Sequence, residues 1–288
     1  MKNIIQYYIN FKNILKSYIK NKNILFGSVF LILLCLTICI FPYTSLYNPN
    51  KSSFKPLQSY NSTNWLGTDS TGYDLFSRVL AGAKISLQIG FCAIILASLL
   101  GTFLGIISGY FKGIIDHIIN FICDILVVFP DIILAMIIMF FLEKNKLSLI
   151  ICLSISNIPS FIRIIRANTL KIKQKDLIKA SKALGANNFY IITKHILPHL
   201  YSIIITKITV GMATVILTIS GLGYIGLGLD PTIPEWGNIL SSAKNNMRFY
   251  PHLFYGPFVV ILLTILSFNL IGKGLIQTFD SENNVVNN

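Results

Sequence analysis

Charge is scarce in this sequence. Only 12% of its 288 residues are Asp, Glu, Lys or Arg, whereas a soluble domain carries about 25%. Acid is the scarcer half, with 11 acidic against 24 basic residues and a formal net charge of +13. A basic surplus can mark a nucleic-acid binder, but that function needs a soluble basic face with aromatics exposed for stacking. Here the basic residues flank long apolar blocks, where topology and anionic lipid account for them. No nucleic-acid partner is expected.

Other absences narrow the class further. No stretch fits Gly-x-x-x-x-Gly-Lys-Ser/Thr, and Gly272-Lys273-Gly274 lacks both the spacing and the hydroxyl, so the usual phosphate cradle of an ATPase is missing. The alternating ten-residue segments of a membrane β-barrel are absent, as are internal repeats and a soluble domain. Cys35, Cys39, Cys92, Cys123 and Cys152 all fall inside apolar blocks. None lies where oxidation would pair it, and Cys35 with Cys39 lacks the further ligands a metal site needs. His117, His195, His199 and His252 sit at block ends without a ligand pair. No catalytic, cofactor-binding or metal-binding residue is expected on this chain.

What is present is apolar length. About 20 apolar residues at 1.5 Å rise cross a hydrocarbon layer of about 30 Å. Six blocks qualify: residues 24–41, 85–110, 114–142, 147–165, 201–229 and 252–271. Lipid offers no hydrogen-bond partner, so each must close its own backbone ladder as a helix. The expected fold is all-α and polytopic, with about six transmembrane helices. The first block follows Lys12, Lys16, Lys20 and Lys22 as a signal peptide would, but Pro42-Tyr43-Thr44-Ser45-Leu46 offers no cleavage site, so an uncleaved anchor is expected. Basic residues are denser in 1–23, 111–113 and 166–199, which places those segments and both termini inside.

Two outside segments are long enough to fold: 42–84, with Asn64-Trp65-Leu66-Gly67-Thr68-Asp69, and 230–251, with Pro231, Pro234, Trp236, Gly237 and Pro251. Their turn formers and aromatics predict surface or re-entrant pieces. Within the blocks, Gly101, Gly105 and Gly109 form a small-residue face for helix contact. Gly221-Leu222-Gly223-Tyr224-Ile225-Gly226 satisfies the dinucleotide pattern but has no βαβ context, so close packing or local unwinding is expected there. Asp124 and Asp131 lie inside the third block, where a carboxylate costs about 2.5–3.5 kcal/mol. Asp124 either lines a pathway or pairs with a neighbouring helix; Asp131, beside Pro130, is expected to cap a broken helix. Lys207, near the start of the fifth block, is expected to snorkel to the interface.

The longest inside segment, 166–198, predicts an amphipathic helix over 176–186, with Leu177, Ile178, Ala180, Ala183 and Leu184 on one side and Lys175, Lys179 and Lys182 on the other. Gly185 and Asn187-Asn188 end it, and a second short helix over 189–197 leads to Pro198. The two joined at a glycine make an elbow suited to another protein's groove or to lipid headgroups.

The residues Asp176-Leu177-Ile178-Lys179-Ala180-Ser181-Lys182-Ala183-Leu184-Gly185-Ala186, followed by Ile196-Leu197-Pro198, resemble the "EAA" loop of binding-protein-dependent ABC importer permeases. Gly185 and Leu197-Pro198 match that pattern; Lys179 stands at its glutamate and Ser181 at its second alanine. Trp65-Leu66-Gly67-Thr68-Asp69 with Gly72 and Asp74-Leu75-Phe76-Ser77-Arg78 is similar to the "C"-type permeases for peptides and nickel, with Tyr73 where relatives have arginine. So are Gly226-Leu227-Gly228 with Trp236-Gly237-Asn238, and Phe268-Asn269-Leu270 with Gly272 and Gly274-Leu275.

The resemblance implies three parts: residues 1–64 (tail, first span, start of the outer loop), a transmembrane domain over 65–280 carrying the ATPase-coupling loop 166–198, and a tail, 281–288. It implies a bacterial inner-membrane location, a second permease subunit, two ATPase subunits that bind ATP and Mg, and an extracytoplasmic substrate-binding protein. Asp176, Lys179, Ala180, Ser181, Ala183, Gly185, Leu197 and Pro198 are the implied coupling residues. The implied cargo is di- or oligopeptides; nickel or a metal chelate is the alternative within the family, and an ion-coupled secondary transporter using Asp124 the alternative outside it.

Overall fold

The computed structural model describes residues 21–44, 49, 52 and 54–286. Lys2, Lys12, Lys16, Lys20 and Lys51, which bear on the expected orientation, lie outside the described residues. The end of the molecule bearing residues 166–199 is termed inner, in line with the expected orientation.

Among the described residues the chain is helical, with one isolated β-bridge between Thr68 and Asp74. The main helices are α1 (Lys22–Ile40), α2 (Leu75–Phe111), α3 (Gly113–Val128), α4 (Asp131–Phe141), α5 (Lys146–Lys173), α6 (Asp176–Ala183), α7 (Asn188–Ile191), α8 (Leu197–Ile225), α9 (Trp236–Ala243) and α10 (His252–Val286). Five helical stretches are long and apolar enough to cross a membrane, and α3 with α4 makes a sixth that is bent by 93°. The expected count therefore holds, but five spans differ from their sequence outlines. α5 runs on past 165 to Lys173, so the first residues of the expected 166–198 loop are helical, and α10 runs past 271 to Val286. The three others change for local reasons.

The second span starts ten residues early because the Asp74 carboxylate accepts from the Ser77 N–H at 2.8 Å and so closes the helix start. The third span breaks at Phe129-Pro130. A residue before proline is pushed out of the helical region, and Phe129 lies extended with ψ 132°. Asp131 heads α4 without making a side-chain cap; as an acid in the first turn it suits the helix dipole. The fifth span begins at Asn188 rather than 201, because α7 runs into α8 through a π-type turn over Ile192–Ile196. Pro198 lacks an N–H to donate one turn back, and the wider turn absorbs that loss without ending the helix. Lys207 thus lies near the middle of a long helix, not at its start. It sits 5.8 Å from the centroid of the Phe161 ring and within electrostatic reach of Asp131. At the other end of the chain, residues 281–286 of the expected tail continue α10.

Packing centres on α2 against α5. A Cβ at Gly101 would collide with Phe161, one at Gly105 would lie 2.8 Å from the Ile165 Cβ, and one at Gly109 would lie 2.9 Å from the Arg166 carbonyl. The three glycines thus bring two helices to backbone contact, as the sequence predicts. At their inner end Arg166 of α5 makes a bidentate pair with Asp116 of α3, at 2.6 and 2.7 Å. Along the other side α1 lies on α10, with a Cβ at Gly27 reaching 2.6 Å from the Ser267 carbonyl.

The outer segments fold back on the bundle. In residues 54–74, Leu57 N–H donates to the Asp69 carbonyl at 3.1 Å and Thr68 N–H to the Gln58 carbonyl at 3.1 Å. After α8 ends at Gly226, in left-handed conformation (φ 86°), the chain turns so that α9 wedges between α2 and α8. The Trp236 side chain is fully buried and its indole N–H donates to the Val79 carbonyl at 3.0 Å. Gly223 and Gly237 allow this approach: a Cβ at Gly223 would lie 2.9 Å from the Gly237 Cα. Of the dinucleotide-like glycines, Gly223 thus serves helix packing and Gly226 ends α8, while Gly221 faces open space. Glu235 caps α9 from a fully buried position, accepting from the N–H groups of Gly237 at 2.8 Å and Asn238 at 3.2 Å and from the Ser86 hydroxyl at 3.3 Å. Burial outweighs those bonds and pushes its carboxyl from the ordinary 4.5 up to about 7.

Two outcomes are expected. Gly105→Ala lowers stability by about 1–3 kcal/mol, as overpacking does, whereas Gly221→Ala, with nothing within 4 Å of the added Cβ, leaves it unchanged; a thiol-reactive dye reporting heat exposure of buried Cys123 and Cys152 measures both. Because the Glu235 carboxyl holds its proton more tightly folded than unfolded, it contributes stability below pH 4.5 that is lost as pH rises through about 7. Glu235→Gln removes that slope, so melting curves from pH 4.5 to 8 should show the variant losing less stability across the window than the wild type.

Candidate functional site

The inner surface is built around α6. Its C-terminus closes in a Schellman arrangement: Gly185 N–H donates to the Lys182 carbonyl at 3.0 Å and Ala186 N–H to the Ser181 carbonyl at 3.1 Å. That closure needs a left-handed residue, and Gly185 supplies it with φ 84°. The Asn187 side chain then caps α7 by accepting from Tyr190 N–H at 2.7 Å. The elbow is therefore a helix stop followed by the start of the long fifth span, not two separate short helices.

The expected apolar face of α6 does not pack as one unit. Ile178 alone is buried, joining Ile106, Tyr110, Ile165, Ile172, Ile191, Ile196 and Leu200 in an inner cluster against which Ala186 and Leu197 also pack. Leu177, Ala180, Ala183 and Leu184 stay exposed. Leu184 is 89% and Phe189 76% exposed, which leaves an apolar tip on the chain's own surface. Nothing lies within 4 Å of a Cβ built at Gly185, so the tip is open at its turn.

Polar residues surround this tip. Lys179 pairs with Asp176 of the same helix at 3.0 Å, and the Ser181 hydroxyl donates back to the Leu177 carbonyl at 2.8 Å. Lys182 is exposed. Lys173 is drawn inward, its ammonium donating to the Tyr110 carbonyl at 2.5 Å and lying 5.0 Å from that ring's centroid. Of the predicted residues, Asp176, Lys179, Ala180, Ser181, Ala183 and Gly185 come together on α6 and its stop. Leu197 and Pro198 do not join them: they belong to the helix beyond the π-type turn, Leu197 half-buried and Pro198 exposed.

Asp124 of α3 meets Arg163 of α5, with Nη2 to Oδ1 at 2.7 Å, and both side chains are largely exposed. Two buried carboxylates with structural work, Asp116 and Glu235, are not among the residues the sequence patterns single out. A proline followed by an acid and Trp-Gly is a signal for a helix cap at Glu235. Asp116 has only its place in the first turn of α3 to mark it; its partner Arg166 lies 50 residues on. Among the described residues no group of three or more His, Cys, Asp and Glu could hold a metal.

The chain matches the family described as "Binding-protein-dependent transport system inner membrane component" over residues 101–283. It is 39% identical over 220 residues, 76% of this chain and 73% of the relative, to the glutathione transport system permease protein GsiD of Pectobacterium atrosepticum. To GsiD of Escherichia coli O157:H7 it is 40% identical over 216 residues, 75% of this chain and 71% of the relative. Among solved structures it is similar to the MetNI methionine ABC transporter in inward-facing conformations, with TM-score 0.57 at 18% identity over 70% of this chain and 96% of that one. An amino acid ABC transporter solved with histidines gives TM-score 0.50 at 14% identity, over 69% and 92%. At these identities the structural likeness is one of fold. The chain belongs to the family of binding-protein-dependent transport system inner-membrane components, and is a non-catalytic, multi-pass permease subunit of an ABC importer in the bacterial inner membrane.

Proposed function

We propose that this permease serves an importer of small peptides and that the tip formed by α6 is its contact with an ATPase subunit. The relatives at 39–40% identity are named for glutathione transport, and glutathione is a tripeptide; that supports the cargo class. The observation that carries the coupling role is the exposed apolar tip. Leu184 at 89% exposure next to an open glycine turn is costly to leave in water and well shaped for a groove.

On this reading Ala180, Ala183 and Gly185 permit close docking, and Asp176, Lys179, Ser181 and Lys182 form the rim. Lys179 stands where relatives carry glutamate, and Asp176 compensates its charge at 3.0 Å within the helix, so the ATPase need not supply an acid there. Leu197 and Pro198 act behind the contact: Leu197 joins the inner cluster under Ile178, and Pro198 goes with the π-type turn. Closure of two ATP- and Mg-bound ATPase subunits would draw this tip toward its counterpart on a second permease and rock the spans between two states. An extracytoplasmic binding protein delivers cargo at the outer end. Residues 65–280 act as the transporting domain, with both termini inside.

Asp124 and Arg163 expose an ion pair on a face that lipid would penalise. That favours a place at the pathway or against the second permease over a lipid-facing one. Being held by Arg163 at 2.7 Å, Asp124 is not a free carboxylate awaiting a coupling ion, and the secondary-transporter reading gains no support. Nor does the metal-chelate alternative.

In vesicles holding the complete importer, Leu184→Asp should reduce peptide uptake at least about tenfold while stability stays within about 0.5 kcal/mol, as for surface changes. Gly185→Asn, which tolerates the left-handed turn, should retain more uptake than Gly185→Val. Normal ATP-dependent uptake by Leu184→Asp removes the docking role; failure of the wild type to import any di- or tripeptide removes the cargo class.

A further inference from the structure

The outer end holds a cavity of about 560 Å³, within the range of small-molecule sites. One wall is a stripe of α2 that includes Arg78, Lys84 and Gln88; Lys146 at the head of α5 and Thr232 before α9 complete its polar lining. Arg78 to Gln88 spans ten residues, about 15 Å of helix, so the cavity is an open groove along α2, with Arg78 buried and Lys84, Gln88, Lys146 and Thr232 exposed. Three cations converge on it, and among the described residues no carboxylate lines it.

Of the nearby acids, Glu143 stands exposed in the turn before Lys146 but does not line the cavity, and four others are engaged by the fold. Asp69 spends one oxygen on Thr71 and the Tyr73 N–H and approaches Arg78 with the other at only 3.7 Å. Asp74 caps α2, Asp230 accepts from Thr232 at 2.9 Å and 2.6 Å, and Glu235 is buried in the cap of α9. The sequence before Asp69 contains no Asp or Glu at all, so the outer loop beside the cavity has no acid to offer. Arg78 is held in place by the Tyr73 ring, 4.6 Å from its guanidinium. Lys84 and Lys146 have no ion-pair partner among the described residues. Cations gathered around a concave space, with a buried arginine pre-oriented by stacking, form a receptor for a small anion.

We propose that this cavity is an entry subsite that takes a carboxylate of the incoming cargo, Lys84 and Lys146 drawing it in and Arg78 receiving it. The proposal rests on the peptide reading for its ligand, since every unblocked peptide carries a carboxylate. The cavity volume of about 560 Å³ is that of a small-molecule site, which favours a small anion as occupant.

The test uses the complete importer in lipid nanodiscs, with alanyl-alanine and alanyl-alanine amide as probes. Acylation of outer lysines by an N-hydroxysuccinimide ester, read by mass spectrometry, should slow several-fold at Lys84 and Lys146 with the free acid and not with the amide, while exposed Lys55 is unaffected. Lys84→Gln with Lys146→Gln should lower uptake of the acid on the order of tenfold relative to the amide, the scale of losing charge-assisted hydrogen bonds, with stimulation of ATP hydrolysis by the binding protein unchanged. Equal loss for acid and amide together with lost stimulation would assign the cations to binding-protein docking and overturn the subsite. Unprotected lysines overturn it too. If the acid protects both lysines but the importer carries neither probe, the anion site stands and the peptide reading falls.

Discussion

The structure depends on how closely α2 and α5 approach. In lipid no water gain drives two apolar helices together, so association rests on van der Waals contact and on the few polar bonds that reach across. Gly101, Gly105 and Gly109 let α2 touch Phe161, Ile165 and the backbone at Arg166, which makes this pair a spine. The Ser154 hydroxyl of α5 donates across it to the Ala93 carbonyl of α2 at 3.1 Å. The other elements are placed relative to that pair. At the inner end Asp116 pins α3 to α5, and at the outer end Trp236 and Glu235 pin α9 to α2.

That spine connects the two ends of the molecule. The inner cluster under α6 includes Ile106 and Tyr110 of α2 and Ile165 and Ile172 of α5, so the tip rests on the inner ends of both spine helices. The outer cavity is lined by the first turns of the same α2 and the head of the same α5. Tip and cavity therefore sit at opposite ends of two closely packed helices. Under the proposed coupling role, a pair packed this closely would carry a push on the tip as a shift of both helices together.

Features set by short-range rules were legible in the sequence. Block length gave the number of spans, the glycine spacing gave the α2 contact face, and Gly185 with Asn187 marked the stop and restart around the tip. The misses share a cause, because each turned on a partner distant in the chain or on the ability of a helix to absorb a fault. Pro198 reads as a boundary, yet a π-type turn carries the helix through it. The apolar side of α6 is legible in the sequence, but not that Ile178 alone turns inward, onto Ile106, Tyr110 and Ile165, which lie far from it in the chain. Glu235 meets Ser86 across 149 positions, and no local pattern reports that contact.

The shortage of acid acquires a physical meaning in the fold. Of 11 acidic residues, Asp74 and Glu235 close helix starts, while Asp116 and Asp124 bind arginines of α5. Asp69 organises an outer turn, and Asp176 offsets Lys179. Once these duties are met, five acids remain, Asp131, Glu143, Asp230, Asp280 and Glu282, fewer than the lysines they would have to neutralise. Inside, that leaves a basic rim around an apolar tip, where anionic headgroups and a protein partner are both available to balance it. Outside, Lys84 and Lys146, with no ion-pair partner among the described residues, line one cavity with Arg78. A basic surplus spread over loops is explained by topology alone; one lining a concave space is what the proposed carboxylate subsite would draw on.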